Sequence, residues 1–172
     1  MMNGALLSVV VSTLGCLCVA FEIPVKPYLD MKKLAGKWHP ILRAKYDPTD
    51  QPFYTYTMSP LNDGNVILKV EVPRVRACRL NFVALYAIQP GVFENADGKL
   101  TVHLVDTDYD NYHISHTERD NMAFMNLYGR EKEVSEEVTK KFLDMAQKVM
   151  LNPMLLFYQH KTDLCLSPPQ KA

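Results

Sequence analysis

The sequence predicts an all-β fold: an antiparallel barrel or sandwich of about eight strands with one amphipathic helix near its end. Three observations lead there. Strand-like runs follow one another at short intervals, with turn signals between them. The run Val66–Val72 alternates cleanly, with Val66, Leu68, Val70 and Val72 on one face and Lys69 and Glu71 on the other. Only late in the chain, from Val134 to Val149, does the spacing become helical over several turns. At 172 residues the chain is sized for one domain.

The first twenty residues stand apart from that fold. From Ala5 to Ala20 the chain reads ALLSVVVSTLGCLCVA, apolar and uncharged, and it turns polar at Glu22. The run is short for a membrane span and fits a secretory leader, with Cys18 and Ala20 small enough for cleavage after Ala20. Residues 1–20 are expected to be a signal peptide, and residues 21–172 a single secreted domain with a short polar tail after Cys165. The leader takes Cys16 and Cys18 with it, so two of the 4 cysteines remain, Cys78 and Cys165. In a secreted domain they most simply form one disulfide, closing a loop of roughly 90 residues for about 4–5 kcal/mol on the chain-entropy model. The chain contains no Asn-x-Ser/Thr sequon.

The elements follow in order. Leu29–Leu34 reads as a short capped helical turn leading to Gly36-Lys37-Trp38, where the first strand opens. Pro40 inside that strand requires a bulge or an unpaired edge. Phe53–Ser59 is the antiparallel partner of Val66–Val72 across Asn62-Asp63-Gly64-Asn65, and it sets Tyr54, Tyr56 and Met58 on one face. Arg79–Ile88 and Gly91–Glu94 are the next strands. Asn95-Ala96-Asp97-Gly98 then turns the chain into Lys99–Val105, with Leu100, Val102 and Leu104 on one face. Asp108–Asn111 leads into Tyr112–Arg119, and Asp120-Asn121 into Met122–Arg130. Ser135-Glu136-Glu137 opens the helix with carboxylates in its first turn, where the helix dipole favours them. Val134, Val138, Phe142, Met145 and Val149 mark its apolar stripe. It ends by Asn152-Pro153, and Leu155–Tyr158 can form a last short strand.

Three short motifs now fall into order: Gly36-Lys37-Trp38, Thr107-Asp108-Tyr109, and Arg130 closing Leu127-Tyr128-Gly129-Arg130. With the leader, the cysteine pair and the late helix, they resemble the lipocalins over essentially the whole of residues 21–172. Leu34–His39 is similar to the branch of β-lactoglobulin and glycodelin, while Leu127–Arg130 is equally similar to odorant and pheromone carriers. The resemblance implies an eight-stranded antiparallel up-and-down barrel with one C-terminal α-helix packed outside. It also implies one small apolar ligand in the cup, and Arg130 stacked across Trp38 to plug the closed end.

The family's helix position decides which way one strand faces. Read alone, Tyr112–Thr117 would bury Tyr112 and Ile114 and expose His113, Ser115 and Thr117. The next strand is apolar on both faces, with Met125 and Leu127 on one and Phe124 and Tyr128 on the other. It therefore needs an outer cover, which the helix supplies. Tyr112 and Ile114 can then lie outward beneath the helix, turning His113, Ser115 and Thr117 into the cup. The expected ligand-binding set is Tyr54, Tyr56, Met58, Leu68, Val70, Val83, Phe93, Val102, Leu104, His113, Ser115, Thr117, Phe124 and Asn126. Buried polar groups need partners, so such a wall favours a ligand with a hydroxyl, carbonyl or carboxylate. Titration of His113 near pH 6–7 would modulate its binding.

Other chemistries are excluded residue by residue. Lys and Arg total 19 against 19 Asp and Glu, which gives no footprint for nucleic acid or an acidic membrane. His113 and His116 point to opposite faces of one strand, and His39, His103 and His160 lie on separate segments, so no metal site is expected. Asp106, Asp108 and Asp110 coincide with a turn motif in which Asp bonds backbone amides. With no free thiol and with Ser115 and His116 facing apart, no enzyme is expected and no cofactor is called for. Two readings remain. One is a secreted carrier of a fatty acid, retinoid, steroid or odorant-like ligand. The other is a secreted signalling protein that uses the barrel as a scaffold around a filled cup. Arg74, Arg76 and Arg79 beside Cys78 read first as a solvated loop, with a receptor contact as the alternative; partners would be the ligand and a cell-surface receptor. The chain would be a monomer or a weak homodimer.

Overall fold

A computed structural model describes residues 23–45, 54–74, 77–120 and 122–149, together with the backbone of 154–157. A 3-10 turn, Met31–Leu34, precedes β1 (Gly36–Lys45). Then come β2 (Tyr56–Pro60), β3 (Val66–Arg74), β4 (Ala77–Gln89), β5 (Val92–Glu94), β6 (Leu100–Thr107), β7 (Tyr112–Arg119) and β8 (Met122–Gly129). The helix α1 (Glu136–Val149) and β9 (Met154–Phe157) complete the order. Each strand from β2 to β7 pairs antiparallel with the next. A closed barrel rather than a sandwich results because β1 bridges the two ends. Its first residues, Gly36–Trp38, pair with β2, and the stretch from His39 to Lys45 pairs with β8. Where β2 leaves the edge of β1, β9 takes it up beside Leu42–Lys45.

Pro40 sits where its missing N–H predicts. The register between β1 and β8 shifts between Pro40 and Leu42. A second bulge between Leu104 and Asp106 turns Val105 and Asp106 outward at the end of β6.

Two separate apolar clusters follow from the period-2 alternation. The inner one fills the barrel with Leu34, Trp38, Tyr56, Met58, Val66, Leu85, Phe93, Leu104 and Tyr128. The outer one seals α1 against β1, β7 and β8, with Leu42, Ala44, Tyr112, Ile114, Met125 and Leu127 under Phe142 and Ala146. Ser135 caps α1, accepting from the Val138 N–H (3.3 Å). On the barrel wall Asp106 accepts from the Tyr112 hydroxyl (2.7 Å) and pairs with Lys26 and with Lys141 of α1. Burial alone would raise the Asp106 carboxyl. The hydrogen bonds from Lys141, Tyr112 and Lys26 outweigh it and hold the group below its ordinary value.

The closed end is a cross-tie built on Arg130. Its guanidinium lies 3.7 Å above the Trp38 ring. It donates to the carbonyls of Lys33 (2.8 Å), Ala35 (2.8 Å) and Tyr109 (3.1 Å). The Trp38 indole N–H donates to Leu34 (2.9 Å), which pins the 3-10 turn across the bottom. Gly36 has φ +106°, and a Cβ there would stand 3.0 Å from Arg130 Nη1. Backbone conformation and lack of space both require glycine there.

Arg130→Lys keeps the charge but loses the planar fork and most of the stack. Urea denaturation of the variant should show a loss of about 2 kcal/mol, the sum expected for a cation–π contact and charged hydrogen bonds. A loss below about 0.5 kcal/mol, the range of ordinary surface substitutions, would show that the tie does not hold the barrel.

Candidate functional site

The barrel interior divides into a packed floor and an open upper cup. On the floor the His113 ring meets Trp38 edge-on (centroids 4.7 Å apart) and stacks on Tyr128 (5.0 Å, 16° between planes). His113 Nε2 lies 2.5 Å from the Tyr56 hydroxyl. Met58, Phe93 and Leu104 pack around this group and leave a void of only about 30 Å³.

Above it lies a cavity of about 530 Å³. Tyr54, Tyr56, Leu68, Val70, Val83 and Val102 form its apolar wall, and Ser115, Thr117, Phe124 and Asn126 face them. The turn Asn95-Ala96-Asp97 and Arg119 stand at the same cavity. Of the residues expected around a ligand, these therefore border the open space. Met58, Phe93, Leu104 and His113 belong to the floor. The inward turn of His113, Ser115 and Thr117 holds, with Tyr112 and Ile114 buried outside beneath α1.

Sequence reasoning missed the strongest polar group in the cup, Arg43. It is 3% exposed and borders the cavity. Its Nε donates to Asn126 Oδ1 (2.7 Å), and its guanidinium lies 4.4 Å over the Phe124 ring. Asn126 in turn donates to Thr117 Oγ1 (3.2 Å). Simple alternation from the inward Trp38 would put Leu42 and Ala44 in the cup and Arg43 outside. The Pro40 bulge inverts that parity, so Leu42 and Ala44 join the outer cluster and Arg43 enters. The signal was Pro40, which marks a bulge without saying how far the register shifts.

The expected titration of His113 near pH 6–7 does not survive. Complete burial, assisted by the positive charge of Arg130, pushes its pKa down to about 3. Burial likewise raises the Tyr56 hydroxyl, helped by Tyr128, so both partners stay neutral at physiological pH. Of the turn carboxylates expected to bond backbone amides, Asp108 does so, whereas Asp106 bonds the side chains of Tyr112, Lys26 and Lys141 instead. Asp108 accepts from the amides of Asn111 (2.9 Å) and Tyr112 (3.0 Å), and Thr107 Oγ1 accepts from the Tyr109 N–H (2.8 Å). On the outer surface, the β6–β7 register sets His103 directly opposite His116, a pairing that spacing did not suggest. Cys78 lies on β4, whereas Cys165 and residues 1–20 lie outside the described residues.

A His pKa lowered by folding makes stability complete above the ordinary value of 6.5 and erodes it as pH falls toward the folded value. His116, pushed to about 4 by burial and by His103, acts with the same sign. The unfolding free energy should therefore drop between pH 7 and pH 4.5 in urea titrations. His113→Gln should show a shallower drop, and an unchanged slope would refute the assignment to His113.

Residues 35–157 match the profile of the lipocalin / cytosolic fatty-acid binding protein family. The chain is 26% identical to a lipocalin of Rhinella marina over 181 residues, which cover 96% of this chain and 99% of that protein. It is 30% identical to epididymal secretory protein 4 of Zootoca vivipara over 130 residues, covering 72% and 74%. It is 28% identical to major urinary protein 1 of Mus musculus over 130 residues, covering 69% and 72%. In three dimensions the fold is similar to that of the siderocalin Ex-FABP, with a TM-score of 0.63 at 20% identity over 76% of this chain and 97% of that one.

Proposed function

The chain belongs to the lipocalin family, whose members carry small hydrophobic ligands, and on that premise we propose a specific form of carriage. The protein is a secreted carrier of one small hydrophobic molecule bearing a carboxylate or another oxygenated group. The apolar body lies against Leu68, Val70, Val83 and Val102, and the polar end sits at Arg43, Asn126 and Thr117. The observation behind this reading is the cavity of about 530 Å³ with a buried guanidinium on its wall. That volume is in the range of small-molecule sites. An ionised carboxylate enters an apolar cup only where a charged, hydrogen-bonding partner meets it. A signalling barrel with a filled cup fits less well, because the filling stops at Tyr56 and His113.

Secretion draws support from the apolar leader and from likeness to an epididymal secretory protein and a major urinary protein. With it goes the proposed Cys78–Cys165 disulfide. A thiol assay on the unreduced, unfolded secreted chain should detect no free thiol, whereas two would rule the bridge out.

Binding of a fluorescent fatty acid, followed by displacement with a fatty acid and with the alcohol of equal chain length, tests the carrier reading. Arg43→Met should weaken the acid by about tenfold or more, the scale of one charged hydrogen bond, and the alcohol far less. Equal weakening of both would remove Arg43 as the anchor. Failure of the wild-type chain to bind any apolar probe would remove the carrier.

A further inference from the structure

The outer face of β6 and β7 carries a cluster that the cup does not use. His103 and His116 are direct cross-strand partners, with ring centroids 5.8 Å apart. Glu118, two residues along β7, points to the same side. Its Oε1 lies 3.8 Å from His116 Nδ1, and one donor atom from each of the three residues falls within 4.8 Å of the others. We propose that His103, His116 and Glu118 form a binding site for a divalent transition-metal ion, Zn²⁺ being the ion their donors fit best.

An unfilled valence in the structure points to a ligand. His116 is 4% exposed, and its Nδ1 has no hydrogen-bond partner among the described residues. A buried polar nitrogen left in that condition is costly, and few natural sites tolerate it without a purpose. A hydrogen bond would satisfy it, but Glu118 Oε1 at 3.8 Å is too far off to make one. A cation drawn between them would satisfy the imidazole lone pair and the carboxylate charge at once.

The protonation states agree with that geometry. Burial holds both His103 and His116 below the ordinary imidazole value, so both are neutral ligands at physiological pH. Two imidazoles, one carboxylate and a water make a usual zinc donor set, whereas Ca²⁺ and Mg²⁺ prefer oxygen alone. Tetrahedral Zn²⁺ holds its donors about 3.3 Å apart, so the cluster must contract by roughly 1–1.5 Å. Glu118 can supply most of that movement, since its side chain is 50% exposed. The solvent side where Glu118 emerges leaves room for the water. Because β7 alternates, the site is independent of the cup: His116 faces out, while Ser115 and Thr117 beside it face in.

The test is a Zn²⁺ titration of the chelator-stripped full chain against a chromophoric zinc indicator, with Co²⁺ as a spectroscopic substitute. One ion should bind per chain at micromolar concentration, and Co²⁺ should give the visible bands of a four- or five-coordinate centre. His103→Gln and Glu118→Gln, both at partly exposed positions, should each weaken Zn²⁺ by at least about tenfold. Melting temperatures without metal should stay at the wild-type value and so report an intact fold. His39→Gln, on another strand, should bind as wild type, and Ca²⁺ should not compete. Binding weaker than about 100 μM would overturn the site, as would unchanged affinity in His103→Gln and Glu118→Gln, which would place the ion elsewhere.

Discussion

Arg130 closes the barrel, and most of what the interior can do depends on that closure. An up-and-down barrel joins its first and last strands at one seam, where the 3-10 turn, β1, the β6–β7 turn and β8 all converge. A single guanidinium reaches two of these through carbonyls, the 3-10 turn at Lys33 and Ala35 and the β6–β7 turn at Tyr109, and it covers Trp38 of β1 with its face. No other side chain offers a flat cation with donors on several edges. Three motifs far apart in sequence are thus one object in space. Gly36 leaves room for Arg130, Trp38 gives it a face, and the Thr107–Tyr109 turn presents a carbonyl to it.

The plug also sets the chemistry above it. Trp38 supports His113 edge-on, and His113 stacks on Tyr128 and meets Tyr56, so the lower barrel is solid. The charge on Arg130 disfavours a second cation nearby, which reinforces the effect of burial in keeping His113 neutral. Polarity in the barrel is therefore tiered. The lower tier is an uncharged pair in which His113 Nε2 meets the Tyr56 hydroxyl, while His113 Nδ1 has no hydrogen-bond partner among the described residues. The upper tier, Arg43 with Asn126 and Thr117, carries a fixed charge beside open space. Of the two tiers, the upper one borders the open cavity.

Much of this architecture was legible in the residues. Val66, Leu68, Val70 and Val72 announce β3 by period-2 alternation, and Asn62-Asp63-Gly64-Asn65 announces the turn before it. The helical stripe through Phe142 explains why β8 is apolar on both faces, and hence why His113, Ser115 and Thr117 turn inward. What stayed hidden depends on register. Arg43 entered the cup because a one-residue bulge inverts every later side chain of β1, and sequence shows the proline but not the size of the slip. His103 and His116 are thirteen positions apart, and only the pairing of β6 with β7 makes them neighbours. Cross-strand contacts of this kind have no linear signature.

That pairing is itself firmly held. From Tyr112 to Thr117 every residue of β7 is buried, with Tyr112 and Ile114 against α1, and His113, Ser115 and Thr117 toward the lumen. A slip of one residue would exchange the two sets. Ile114 would enter a polar wall, and His113 would leave Tyr56 for the apolar layer under Phe142. Each exchange strands a buried polar group at about 1–3 kcal/mol and forfeits apolar burial of similar size. One covered face is enough to specify register, and this strand is constrained from both sides. The position of His116 opposite His103 therefore follows from demands made by Ile114 on one side of the sheet and His113 on the other. The outer cluster is held in place by the same packing that shapes the cup.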